Sequence, residues 1–262
     1  MFKFCTLYSG SSGNCSFVQT DTTKILIDAG QSAKKIEEAL SSIDVDPYSI
    51  DGILVTHEHS DHVKGLGILS KKFHIPIYAN AETWNSMEKQ KEKIEPNNVN
   101  FFSFSKFSIG NIDVKPFSIP HDAANPCGFN IYNNDKKISI ATDIGHIDNS
   151  ILQNLLYSDF LLLEANYEPE VLRYSKYPYL LKSRISGPNG HLSNIDAGKT
   201  ISYLVNKGLN KVMLGHLSNE NNFPELAYKT VLEQLIENNV SQNNLRLSVA
   251  NRHEASPMIN IS

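Results

Sequence analysis

Thr56-His57-Glu58-His59-Ser60-Asp61-His62 follows directly on the apolar run Ile53-Leu54-Val55, and its reading decides that of the rest of the chain. Three imidazoles and two carboxylates fall within seven residues. At a strand end such a group would repel itself or stay unsatisfied without a cation between its members. Neutral imidazole and carboxylate suit zinc, manganese or iron, so the stretch reads as a dinuclear metal site. Alternate residues of an extended chain point the same way, so His57 and His59 converge on one metal while Asp61 and His62 turn toward a second.

Three further candidates also follow apolar runs: His121 after Ile119-Pro120, Asp143 after Ile140-Ala141-Thr142, and His216 after Met213-Leu214-Gly215. A single histidine at a strand end is more often a satisfied polar residue than a ligand. These three gain weight only from the cluster.

Period-two patterning predicts strands over 2–7, 16–19, 24–28, 52–55, 112–118, 129–132, 137–141, 160–163, 211–214 and 245–249. Helical spacing predicts helices over 32–40, 66–73, 81–93, 148–157, 194–207 and 224–238, with start signals at Asn149-Ser150 and at Ser193-Asn194 with Asp196 behind it. Strands accumulate before the first long helix, and a second strand group is followed by helices. That order predicts an α/β (α+β) fold of two stacked sheets flanked by helices. The run Ser183-Arg184-Ile185-Ser186-Gly187-Pro188-Asn189-Gly190 is the expected long loop, beside His191.

With 262 residues, 40% of them hydrophobic, the chain can fill one large core, and residues 1–262 are expected to form a single domain. Twenty-four basic against 28 acidic side chains give a net charge of −4, so no global basic field recruits nucleic acid, although bound metal would add local positive charge. Cys5, Cys15 and Cys127 make an odd set without a CxxC pair, which argues for a reducing compartment rather than a disulfide framework. No signal-peptide pattern opens the sequence and no apolar run approaches the ~20 residues of a membrane span, so the expected location is the cytoplasm.

His57-x-His59-x-Asp61-His62, followed in order by His121, Asp143 and His216, resembles the metallo-β-lactamase superfamily over nearly the whole chain. The resemblance implies a four-layer αββα sandwich carrying two divalent metal ions, zinc, manganese or iron. His57, His59 and His121 would hold one ion, Asp61, His62 and His216 the other, and Asp143 would bridge them. His59 stands where redox di-iron relatives carry Glu, which favours the hydrolytic branch. Two metals roughly 3.5–4 Å apart bring a shared water near neutral pKa, and the expected nucleophile is the bridging hydroxide.

Glu164 ends Leu161-Leu162-Leu163, and His191 opens Gly190-His191-Leu192-Ser193-Asn194. These segments look like the Glu and His that pair beside the metals in tRNA 3′-processing endonucleases of the superfamily. There the pair assists the leaving oxygen. On the residues alone, Glu164 could equally salt-bridge Arg173 or Arg184, and His191 could be a helix-entry residue. Together with Ser9-Gly10-Ser11-Ser12-Gly13-Asn14, His121-Asp122-Ala123 and Gly215-His216-Leu217-Ser218, they resemble the YycJ/WalJ (VicX) subfamily. That likeness implies a DNA exonuclease acting from a 5′ end, with Asp61, Glu164 and His191 as catalytic residues and a nucleic acid, DNA, as partner.

Asn14 and Asp122 are candidates to orient the ligand imidazoles. The Ser9–Asn14 run is either a plain turn or a phosphate-facing loop. Lys71-Lys72, Lys176, Lys182, Arg184 and Arg252-His253 are candidate nucleic-acid contacts whose commoner reading is solvated surface. Tyr167, Tyr174, Tyr177 and Tyr179 either pack a loop or stack on bases. The alternatives to a nuclease are a thioesterase or lactonase of the same superfamily, or a non-catalytic regulatory protein.

Overall fold

The computed structural model describes residues 1–261. Among them, strands β1 (Phe2–Tyr8), β2 (Cys15–Thr20), β3 (Lys24–Ile27), β4 (Gly52–Leu54), β5 (Ile77–Ala79) and β6 (Val99–Phe101) come first. Then come β7 (Phe107–Ile109), β8 (Ile112–Ser118), β9 (Cys127–Asn133), β10 (Lys136–Ala141), β11 (Phe160–Glu164), β12 (Lys211–Gly215) and β13 (Arg246–Val249), with the two-residue β14 (Ile259–Asn260) last. They form two sheets, in the orders β14-β1-β2-β3-β4-β5-β6 and β13-β12-β11-β10-β9-β8-β7. Each sheet begins as an antiparallel meander and continues in parallel, from β3 to β6 in the first and from β10 to β13 in the second.

Ten α-helices among the described residues cover the sheets or join them: α1 (Ala33–Ser42), α2 (Ser60–Val63), α3 (Leu66–Phe73), α4 (Ala81–Ser86), α5 (Glu88–Lys91), α6 (Asn149–Leu155), α7 (Pro169–Tyr174), α8 (Tyr179–Ile185), α9 (Asn194–Val205) and α10 (Pro224–Glu237). Side-chain alternation explains the layering. Phe4, Ile25 and Ile27 pack with Phe129, Ile131 and Phe160 between the sheets. Their neighbours Cys5 and Leu26 instead join Ile36 and Leu40 of α1 and Leu69 of α3. On the second sheet, Leu161 and Leu163 meet Ile201 of α9 and Val231 of α10. Both faces of each sheet are therefore apolar, as strands covered on two sides require. The result is the expected αββα stack. Phe4 and Phe160 link the two sheets with ring centroids 4.6 Å apart, and full burial of such a ring is worth ~1.5–3 kcal/mol.

All ten predicted strands are present; β5, β6, β7 and β14, of two or three residues each, are too short to carry a period. The helix predicted over 81–93 is broken at Met87, whose backbone leaves the helical region (φ −111°, ψ 38°). The start of α6 is Asp148, whose side chain accepts from Ile151 N, rather than Asn149-Ser150. The expected loop over 183–190 needs correction. Residues 183–185 complete α8, and only 186–190 form the turn. Tyr167 is buried with Leu172 and Ile185 in a small cluster that Tyr177 also joins, so apolar contact through the tyrosines folds α7 and α8 there. Tyr174 and Tyr179 remain exposed.

The parallel strands place the functional residues. Asp28 directly follows β3, and Thr56-His57 come just after β4. Asp143 follows β10 by two residues, Glu164 ends β11 and His216 follows β12. Carboxyl ends of parallel strands are where open α/β sheets leave a crevice, and here both sheets open theirs on one edge.

Candidate metal centre

The seven expected ligands come together. His57 Nε2 lies 3.1 Å from His59 Nδ1, and with His121 these rings offer nitrogens mutually within 4.8 Å. A second set, Asp61, His62 and His216, converges within the same limit. Asp143 stands between the sets: Oδ1 is 3.6 Å from His121 Nε2 and Oδ2 is 3.2 Å from His62 Nε2. The local chain explains the first set. Residues 57–59 are extended, so the two rings share a side, and His59 is then the N-cap residue of one-turn α2, which carries Asp61 and His62. Glu58 points away and accepts from Ala124 N at 2.8 Å.

Four of the five imidazoles, all but His59, are held from behind. His57 Nδ1 lies 2.9 Å from Thr56 Oγ1. His62 Nδ1 meets Asp28 Oδ2 at 2.8 Å, His121 Nδ1 meets Gly190 O at 3.0 Å, and His216 Nδ1 meets Glu164 Oε1 at 2.6 Å. Such partners fix the ring and leave the opposite nitrogen free as a ligand. Asp28 also accepts from Thr56 N at 2.8 Å and from Thr56 Oγ1 at 2.9 Å. Ser9 Oγ accepts from His216 N at 2.9 Å, which gives the N-terminal loop a local task at the site. Asn14 Nδ2 is 3.1 Å from His62 Nε2 and 3.4 Å from Asp61 Oδ2.

Glu164 does more than pair with His191. It is fully buried; Oε1 meets Nδ1 of both His191 (2.9 Å) and His216 (2.6 Å), while Oε2 accepts from Ile144 N (2.8 Å) and Leu192 N (3.1 Å). Neither Arg173 nor Arg184 is its partner; these pair with Glu170 and Asp122. Asp122 therefore holds Arg184, at 2.6 Å, and Gly190 O performs the orienting of His121 expected of Asp122. His146 is exposed, with Nδ1 2.8 Å from Pro188 O.

Backbone geometry marks the same spot. Asp28, Asp143 and His216 adopt φ of +62°, +58° and +54°. This left-handed region is uncommon for side-chain-bearing residues and gathers where structure over-determines a site. At Gly30 a Cβ would sit 1.6 Å from Asp61 O, so only glycine lets the chain after Asp28 pass beneath α2.

The electrostatics are those of a cation site. Burial, with His62 alongside, holds His57 well below the usual imidazole range. Burial opposes charging His216, yet Asp143, Asp61 and Glu164 outweigh it and lift the ring to about 10. Burial likewise opposes ionising Asp143 and Glu164, but neighbouring histidines prevail: His216 and His62 hold Asp143 well below the carboxylate range, and His191 and His216 bring Glu164 to about 2. Among the described residues, the buried atoms His121 Nε2, His216 Nε2 and Asp143 Oδ2 have no hydrogen-bond partner. A buried polar atom left so costs ~1–3 kcal/mol. All three point where a cation would satisfy them, and five imidazoles with two carboxylates suit a divalent ion, so the residues fit the group. Imidazole binds a metal in its neutral form, so ion binding here is linked to the loss of any ring proton.

Residues 23–217 match the family described as the beta-lactamase superfamily domain, and the chain belongs to that family. It is 40% identical over 237 residues to the exodeoxyribonuclease WalJ of Streptococcus pneumoniae serotype 2, covering 89% of this chain and 88% of the relative. To the exodeoxyribonuclease YycJ of Bacillus anthracis it is 38% identical over 235 residues, 89% of each. In fold it is similar to the metallo-beta-lactamase fold protein YhfI from Bacillus subtilis (TM-score 0.70, 13% identity, 98% of this chain and 100% of that one). It is also similar to the short form of human tRNase Z (TM-score 0.68, 16% identity, 99% of each). Among the described residues no helix is long and apolar enough to cross a membrane.

Asp28, Thr56 and Gly190 O are site components to which the sequence assigns no role, and Ser9, in the expected turn, accepts from His216 N instead. Asp28 carries a usable signal, since it ends the apolar run Ile25-Leu26-Ile27 as Glu164 ends its own. A backbone carbonyl such as Gly190 O carries none.

Proposed function

We propose that this chain is a metal-dependent exodeoxyribonuclease that hydrolyses DNA phosphodiesters from a 5′ end. His57, His59 and His121 would hold one divalent ion and Asp61, His62 and His216 the second, with Asp143 between the two sets; manganese, zinc and iron all suit the donors. Ions in that place supply Lewis acidity and an activated water. The observation that carries the reading is the Glu164–His191 bond at the edge of the cluster, at 2.9 Å.

That bond fixes the His191 ring with Nδ1 toward the carboxylate and leaves Nε2 to donate a proton. Glu164 stabilises the charged imidazole that does so. A nucleotide alkoxide is a poor leaving group and needs a proton as it departs; general acid catalysis of this kind contributes ~10²–10⁴-fold. A thiolate or an activated acyl leaving group needs none, which favours a nuclease over a thioesterase. Identity of 38–40% with two exodeoxyribonucleases over nearly nine-tenths of the chain supports the same choice.

The test is to incubate the manganese-loaded protein with end-labelled double-stranded DNA, single-stranded DNA and RNA, beside thioester and lactone panels, with Asp61→Ala as control. Stepwise release from a 5′ DNA end, absent in the control, is expected. Intact nucleic acid beside fast acyl hydrolysis would overturn the substrate class.

A further inference from the structure

Arg184, in the last turn of α8, is fastened to the site by its backbone surroundings. A Cβ on Gly190 would sit 2.2 Å from Arg184 O, so this close approach requires glycine. His191 N donates to Ile185 O at 2.9 Å, and Gly190 O lies 3.0 Å from His121 Nδ1. The end of α8 is therefore tied to His121 and His191.

The side chain is aimed as well. Nε donates to Asp122 Oδ2 at 2.6 Å, and Asp122 Oδ1 lies 3.4 Å from His121 Nε2. The Arg184 side chain is 55% exposed, and the Asp61 carboxylate is near enough to favour its charge, after the larger effect of Asp122. Among the described residues, the terminal nitrogens Nη1 and Nη2 have no hydrogen-bonded protein partner. A pair built for stability alone would present the planar fork to both carboxylate oxygens, as guanidinium and carboxylate geometry allows. A side-on pair through Nε leaves that fork without a protein partner among the described residues, on a side chain that is more than half exposed.

We propose that Arg184, oriented by Asp122, grips a backbone phosphate of the substrate strand next to the one being cleaved, through its two terminal nitrogens. The assignment rests on the nuclease reading and adds to it a residue that binds without taking part in bond breaking. The open fork matches two non-bridging phosphate oxygens, which a lysine ammonium cannot do.

Exonuclease kinetics of the metal-loaded wild type, Arg184→Ala, Arg184→Lys and Asp122→Asn over a range of salt concentrations test it, together with anisotropy of a labelled oligonucleotide in EDTA and the melting temperature of each protein. Arg184→Ala should raise KM roughly ten- to hundredfold, as loss of a charged hydrogen-bonded contact does, with kcat within about threefold, as removal of uniform binding requires. The slope of log KM against log salt should shrink by about 0.7–0.9, the value of one phosphate contact. Arg184→Lys should restore the slope but not the full affinity, Asp122→Asn should give an intermediate KM, and anisotropy should follow the same order. An unchanged slope, or a fall in kcat at constant KM, would overturn the assignment while leaving the nuclease intact. A wild-type protein that cleaves no DNA would instead overturn the reading beneath it, and the assignment with it.

Discussion

Two buried carboxylates support the cluster from opposite sheets, and they differ in how much each one holds. Asp28, after β3, meets His62 Nδ1 and takes its other bonds from Thr56. Glu164, at the end of β11, meets His216 and His191 with the same oxygen. The first orients one expected ligand. The second joins an expected ligand to the proposed proton donor, so in the proposed mechanism one side chain of the second sheet would couple metal binding to proton delivery. The difference teaches that equivalent positions behind two histidines need not be equivalent in chemistry.

Breaking Glu164 should therefore have the largest effect. Glu164→Ala removes the support of His216 and of His191 together and strands two backbone N–H groups; DNA hydrolysis should drop by about 10⁴ or more, combining losses typical of a general acid and of a ligand's outer partner. Steady-state rates beside metal content by mass spectrometry would check it. His191→Ala isolates the proton-donor half. It should slow DNA cleavage by ~10²–10⁴ and a p-nitrophenyl phosphodiester far less, with metal content unchanged. Equal losses on both substrates would remove the proton-donor role.

Asp28→Asn isolates the other side and should weaken metal affinity by ~10–100-fold, read by titration against a competing chelator. The smallest effect belongs to Thr56→Val, which deletes one hydroxyl between Asp28 and His57 and should cost about 1 kcal/mol in chemical denaturation.

The same contrast governs what the sequence discloses. In the first sheet the ligands are neighbours in sequence, His57 to His62, so their density alone announces a cation. In the second sheet Asp143, Glu164 and His216 are far apart in sequence and meet because β10, β11 and β12 end on one edge, while His121, after β8, and His191, before α9, join them from loops. Strand-end position after an apolar run identifies all of these but His191 as candidates, and resemblance groups them. The His191–Glu164 pair is legible in that way. The shared use of Glu164 by His216 is not, because it depends on register, which places Glu164 beside Gly215, the residue before His216. Asp28 ends an apolar run as Glu164 does, but with no resemblance to group it with the other candidates that signal alone does not set it apart from a turn residue. The helices α7 and α8 escape because a tyrosine-rich stretch with prolines at 169 and 178 has no clean helical period.

The most direct measurement is a manganese titration of DNA hydrolysis by Asp28→Asn and Glu164→Gln. A glutamine at 164 cannot accept on its amide side, so it must fail either the two imidazoles or the two backbone donors. Asp28→Asn should regain near wild-type rate at saturating metal, whereas Glu164→Gln should plateau well below it because His191 has lost its partner. Full recovery of both variants would contradict the double role of Glu164, and failure of both would contradict the single role of Asp28.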